Sequence, residues 1–208
     1  MRAAAAKELL FETIGFMERP RRAVGILESR KLPPDEVSHE LARQCGVAAE
    51  DLTLLVAPTA SLAGGVQIVG RSVETAMHKL LELGFDLRRI VRGAGMAPLP
   101  PVAADDLAAI GRTNDAILYG ADVTLAVRGD DASLETIGPQ VPSCASPDFG
   151  QPFSEIFRRY DHDFYRIDPH LFSPAVVTLE NLDSGNRFRY GQLRPEVVRE
   201  SFAIASAP

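Results

Sequence analysis

Residues 52–84 read LTLLVAPTASLAGGVQIVGRSVETAMHKLLELG, and the reading of this stretch decides the fold. Leu52 to Ala57 is a short apolar run of the kind a covered strand needs. Pro58 ends it, because proline has no N–H to give a ladder. The spacing then predicts one long helix from Leu62 to Gly84, where glycine suits the left-handed position after a last turn. At ~100° per residue, Val66, Val69, Val73, Met77, Leu80 and Leu83 make an apolar stripe. Gln67, Arg71, Glu74 and His78 fall on the opposite side. Arg71 and Glu74 are three apart and so are neighbours on one helical face. By spacing alone this is a solvated helix back carrying an ion pair worth ~0.2–0.5 kcal/mol. Spacing does not by itself make it a site.

Outward from this unit, strands and helices alternate. Residues 3–14 and 32–46 have helical periodicity, the second opened by Pro33 and Pro34 with Asp35 and Glu36 after them. Residues 23–27 make a short strand beside the basic cluster Arg19, Arg21 and Arg22, which lacks the glycine nest of a phosphate grip. Residues 90–92 read as a strand that runs into a stiff Gly/Pro loop over 93–101. A helix over 103–119 carries Arg112, Thr113, Asn114 and Asp115 between apolar turns. Residues 123–127 form a strand, 133–137 and 152–160 form helices, and 175–179 with 187–190 form a hairpin about Asn181–Gly185. Residues 195–203 close the chain as a helix. The expectation is an α/β fold with mixed sheets and packed helices, in two lobes around a central cleft. No internal boundary divides residues 1–208, which read as one region.

Composition bounds the function. With 208 residues, 46% hydrophobic and 24% charged, the chain is that of a globular protein with a real core. A net charge of −6 supplies no basic field for nucleic acid or an anionic membrane. No apolar run approaches the ~18 residues of a membrane span, and the N-terminus lacks the pattern of a signal peptide, so the expectation is a cytoplasmic protein. Cys45 and Cys144 stand alone, as small hydrophobes of a reducing compartment do. The segment 58–65 lacks the Lys-Ser/Thr pair of a P-loop, since Val66 and Gln67 follow the last glycine. Its Gly64 and Gly65 instead allow a ligand or another backbone to come close. His162 and His170 have no zinc-type spacing, so no metal is expected.

The words VAPTASLAGGVQIVGRSVETAMHKLLELGFDL, APLPPVAADDLAAIGRTNDAILYG, VRGDDASLETIGPQVPSCASPDFG and PFSEIFRRYDHDFYRIDPHLFSPAVVTLENLDSG are closely similar to methenyltetrahydromethanopterin cyclohydrolases. The likeness is to the branch found in methylotrophic bacteria and spans most of residues 20–202. It implies hydrolysis of the methenyl bridge of a reduced pterin to the 5-formyl form, in one-carbon metabolism and formaldehyde oxidation. The alternative is a weak or inactive pterin-binding remnant, or a partial subunit, of the same family. By the resemblance Arg71 and Glu74 are the catalytic pair. Thr59, Ser61, Gly64, Gly65, Gln67, Gly95, Thr113, Asn114, Asp115 and Ser146 are the expected substrate contacts. No cofactor or metal is implied beyond the pterin substrate, and the assembly implied is a homotrimer. Family members carry a longer N-terminal segment, so the first lobe is expected to be incomplete here. Met96 stands where the family's Gly-x-Gly-Thr-Ala-Pro rim has threonine.

Overall fold

A computed structural model describes residues 1–203. The class is α/β, and the chain divides into two compact units, Met1–Thr59 and Ala60–Pro208. In the first unit the N-terminal helical stretch is two short pieces, α1 (Arg2–Ala5) and α2 (Leu9–Ile14), parted where Ala6 takes a left-handed φ of 46°. They are followed by β1 (Ala23–Glu28), α3 (Asp35–Cys45) and β2 (Leu52–Ala57). The two strands pair in parallel, from Ala23 opposite Leu52 to Glu28 opposite Ala57. β2 has the limits its apolar run predicts, but it is not covered: Leu55 stays 54% exposed, as do Val24 at 56% and Ile26 at 53% on β1. Among the described residues, the fully buried apolar side chains of this unit are Ala23, Ala42 and Cys45. Its core is thin.

The second unit is built on a four-stranded sheet in the order β3 (Ile90–Met96), β4 (Asp122–Val127), β5 (Val176–Asn181), β6 (Arg187–Gly191). The central pair β4 and β5 is parallel and both outer pairs are antiparallel. Strands β4 and β5 are near-continuous Val, Leu and Ala runs because both their faces are covered. Six α-helices belong to this unit among the described residues. They are α4 (Leu62–Val69), α5 (Ser72–Glu82), α6 (Asp106–Leu118), α7 (Asp131–Ile137), α8 (Phe153–Arg159) and α9 (Pro195–Ser201), with 3-10 turns between them such as Leu87–Arg89, which leads into β3, and Pro169–Leu171.

The predicted single helix over 62–84 is therefore two helices, and the reason lies in what each packs against. Val69 of α4 lies against the cluster built by Ala116, Leu118, Phe153, Ile156 and Phe202 of α6, α8 and α9. Val73, Met77, Leu80 and Leu83 serve a different cluster, with Val123, Leu125, Val127, Val177 and Leu179 of the sheet. One straight stripe cannot face both cores. The chain turns at Gly70 and Arg71, where the Arg71 amide bonds Ile68 O at 3.1 Å in place of the regular ladder. Val66, expected on the buried stripe, is 50% exposed.

Strand β3 also departs from expectation. It runs on through Gly93, Ala94 and Gly95, which the sequence assigns to a loop. Gly93 and Gly95 are two apart and share one face. A Cβ on Gly93 would sit 2.7 Å from Val73 Cγ1, and one on Gly95 2.7 Å from Ser72 Oγ and 3.1 Å from Val73 Cγ2. The glycines let the first turn of α5 lie directly on the strand.

Candidate active site

The break at Gly70 places Arg71 at the N-cap of α5 and Glu74 in its first turn. A negative side chain there complements the helix dipole, whereas a positive one opposes it unless paired. The two are paired by a fork. Arg71 Nε donates to Glu74 Oε2 at 2.7 Å and Nη2 donates to Oε1 at 2.6 Å. This two-point contact fixes the carboxylate's plane as well as its position. The side chains are 52% and 56% exposed, so the pair meets solvent and contributes little to stability by itself. A carboxylate oxygen has two lone pairs and a guanidinium five N–H donors; the fork uses one lone pair on each oxygen and two of the donors.

The other predicted contacts have varied placements. Ser61 caps α4 by accepting from Gly64 N at 2.9 Å, and Gly64 and Gly65 are buried in that helix's first turn. A Cβ on Gly65 would make ordinary contacts with Leu99 and Pro100, so this glycine is not demanded by a close backbone. Gln67 is half-buried on α4. Thr59 is the last residue of the first unit and is buried. Gly95 lies under Ser72, next to Arg71 in the chain.

The polar residues of α6 and Ser146 are hydrogen-bonded within the unit. Thr113 is buried, and its hydroxyl donates to the carbonyls of Ala109 and Ile110 at 2.9 and 3.2 Å. Asn114 Nδ2 donates to Ile110 O at 2.9 Å. Asp115, 1% exposed, accepts from Phe153 N at 2.8 Å and so caps α8. Its Oδ2 meets no donor in hydrogen-bonding geometry. Burial pushes its pKa up to about 7, against the opposing pull of the Ser201 side chain and the Phe153 amide. Ser146 Oγ donates to Asp168 Oδ2 at 2.5 Å inside the unit. Arg112 donates to the carbonyls of Pro101, Val102 and Ser201 at 3.2–3.3 Å, tying the proline-rich loop to α6. Thr113 and Asn114 thus bond the preceding turn of their own helix, whereas Asp115, Ser146 and Arg112 tie separate segments together.

With the geometry of the pair in view, comparison with known proteins identifies the kin. The model of the family "Cyclohydrolase (MCH)" matches residues 1–202. The chain belongs to this family. Proteins named methenyltetrahydromethanopterin cyclohydrolase from Rhodopirellula baltica and Xanthobacter autotrophicus are each 48% identical, over 98% and 97% of this chain. One of the same name from Methanocaldococcus jannaschii is 43% identical over 96%. The chain spans 63%, 60% and 63% of the length of these three cyclohydrolases.

A polar group missed by sequence reasoning lies on the other side of α5. Lys79 is 1% exposed, and its Nζ donates to His170 O at 2.5 Å. Burial pulls its pKa down to about 8, against the attraction of Asp168 and Cys144. The available signal was angular: at ~100° per residue Lys79 falls within ~40° of Leu83, beside the apolar stripe. Among the described residues no group of three or more His, Cys, Asp and Glu is gathered so as to hold a metal ion, and no helix is long and apolar enough to cross a membrane.

Proposed function

We propose that this chain hydrolyses the methenyl bridge of 5,10-methenyltetrahydromethanopterin to the 5-formyl form, with Glu74 and Arg71 as the catalytic pair. The observation that carries the reading is the Arg71–Glu74 fork at the start of α5, in a chain 43–48% identical to proteins that bear the name of this reaction. The bridge carbon lies between two nitrogens and shares a positive charge, so it accepts water readily. Water lacks a base to take its proton as the C–O bond forms. Glu74 supplies that base, takes the first proton, and passes it to one ring nitrogen as the C–N bond breaks, while the adduct's hydroxyl gives its remaining proton to the freed carboxylate and thence to solvent as the formyl C=O forms.

Arg71 does not attract the cationic carbon, since like charges repel. Its fork holds the Glu74 carboxylate in one plane, and its positive charge suits the oxygen that becomes a carbonyl. Repulsion between guanidinium and substrate cation also falls away on forming the neutral adduct, which favours reaction over the bound ground state. Ser61, Gly64, Gly65, Gln67 and Gly95, on the elements flanking the pair, are the proposed pterin contacts from this unit.

The test is the ultraviolet band of the methenyl cation incubated with purified protein. Decay above the spontaneous rate, with 5-formyl product, supports the reading; binding without decay overturns it. The same reading makes the enzyme metal-independent, cytoplasmic and homotrimeric, acting in one-carbon metabolism and formaldehyde oxidation with a small-molecule pterin as its partner and neither nucleic acid nor membrane. Activity retained after chelation, and a scattering mass of three 22.5 kDa chains, are the expected results.

A further inference from the structure

Lys79 poses a physical question: a charged side chain stands where a leucine or methionine would pack at no desolvation cost. Its stem crosses the buried side of α5 beside Ala76 and Leu80, and its ammonium bonds the His170 carbonyl in the 3-10 turn Pro169–Leu171. That turn is itself fastened. Asp168 Oδ1 accepts from His170 N at 3.0 Å, and its Oδ2 accepts from Ser146 Oγ at 2.5 Å. The Asp168 amide donates to Asp148 Oδ2 at 3.3 Å, and Asp148 accepts from Tyr160 OH at 3.0 Å and pairs with Arg159 at 3.6 Å. The ammonium therefore reaches a braced platform.

We infer that Lys79 is a positioning residue for Glu74, fixing the axial position and roll of α5 against the 168–170 turn. This rests on the cyclohydrolase reading above. The rest of the buried side of α5 is mostly apolar, Ala76, Leu80 and partly buried valine and methionine beside the small Ser72, and its first turn lies on the bare backbone of Gly93 and Gly95. Apolar contact resists separation but has no direction. A hydrogen bond from a charged donor has one. Glu74 is five residues before Lys79, ~7.5 Å up the axis at 1.5 Å per residue, so it follows any roll of the helix. A shift of ~1 Å in a catalytic group is enough to cost up to ~100-fold in rate.

The experiment compares the parent with K79M and D168N, measuring kcat, KM and the pH profile from 6 to 10. K79M is expected to lose ~10-fold or more in kcat with KM changed by less than ~3-fold, because aim is lost and the binding surface is kept. The groups facing the ammonium are Asp168 and the His170 carbonyl, with Cys144 further off. The parent is expected to lose rate above pH about 8, where the ammonium gives up its proton. K79M is expected to lack that alkaline limb. D168N, which removes the facing negative charge, is expected to move the limb to lower pH and serves also if K79M fails to fold. Parental kcat and an unchanged limb in K79M, or an unmoved limb in D168N, overturn the inference, even if melting temperatures fall. If the parent itself shows no turnover, the cyclohydrolase reading fails separately. Amide exchange then decides about Lys79: faster exchange over residues 73–78 of K79M, with α8 unchanged, supports the tether, and equal exchange over 73–78 overturns it.

Discussion

Glu74 and Asp115 are both carboxylates on helices, and their surroundings assign them opposite tasks. Glu74 is half-exposed and forked by Arg71, so replacing it disturbs solvent-facing charge and little packing. Glu74→Gln is expected to alter stability by less than ~1 kcal/mol. Thermal melts of parent and variant within about 2–4 °C of each other would show this. Asp115 is buried with one oxygen unserved, and its folded-state pKa stands at about 7 instead of 3.8. Between those values the folded chain binds more protons than the unfolded one, so this residue's contribution to stability falls as pH rises through that window. Asp115→Asn keeps the acceptor for Phe153 N and removes the titration. Denaturant unfolding at pH 5 and 8 is expected to show the variant gaining on the parent at pH 8, by up to ~3 kcal/mol at ~1.4 per pKa unit over the part of the window crossed. Parallel behaviour at the two pH values would contradict the buried-acid description. Family likeness implies ligand contacts for Thr113, Asp115 and Ser146. The structure adds their internal partners, since which carbonyl or amide lies opposite them depends on tertiary contacts that spacing does not encode.

Helix α5 and strand β3 are one device. The strand's glycines admit the helix, and the helix presents Arg71 and Glu74 at its start. Gly93→Ala puts a methyl 2.7 Å from the branched Val73 side chain and 3.0 Å from Leu125, neither of which can move without disturbing the sheet. It is expected to cost ~1–3 kcal/mol and to reduce turnover by lifting the first turn of α5. A Gly93→Ala variant with parental melting and rate would contradict the close docking. These elements also show how far local signals reach. The limits of β2 were legible from a β-prone run ended by Pro58, and the hairpin of β5 and β6 from its turn residues. The break at Gly70 was not, because apolar periodicity continues across it while the partner core changes. The length of β3 was hidden for a related reason. Gly-Ala-Gly carries no strand propensity, and its value lies in what it leaves room for.

At the scale of the molecule, stability is unevenly spread. The second unit has two substantial clusters around α5, the sheet, α6, α8 and α9, whereas the first buries three small side chains fully among its described residues and leaves Val24, Ile26 and Leu55 half-exposed on a two-stranded sheet. Such a sheet is marginal without further cover. Backbone amides of β1 and β2 are expected to exchange at least ~100-fold faster than those of β4 and β5, reflecting local opening well below the global unfolding free energy. Equal protection in the two sheets would contradict this. The α/β class and the alternation of elements were readable from the whole sequence, as was the Arg71–Glu74 spacing. The catalytic role proposed for that pair rests on family likeness, since the same two residues on a solvated helix would look identical in periodicity.

The central claim is that a carboxylate held in a guanidinium fork takes the proton of the attacking water. Single-turnover decay of the methenyl band with Glu74→Gln protein tests it most directly, alongside pterin binding measured on the same variant. The account predicts a rate lower by ~10²–10⁴ with binding largely kept, since glutamine preserves shape and removes the base. A Glu74→Gln protein that turns over at the parental rate would contradict it.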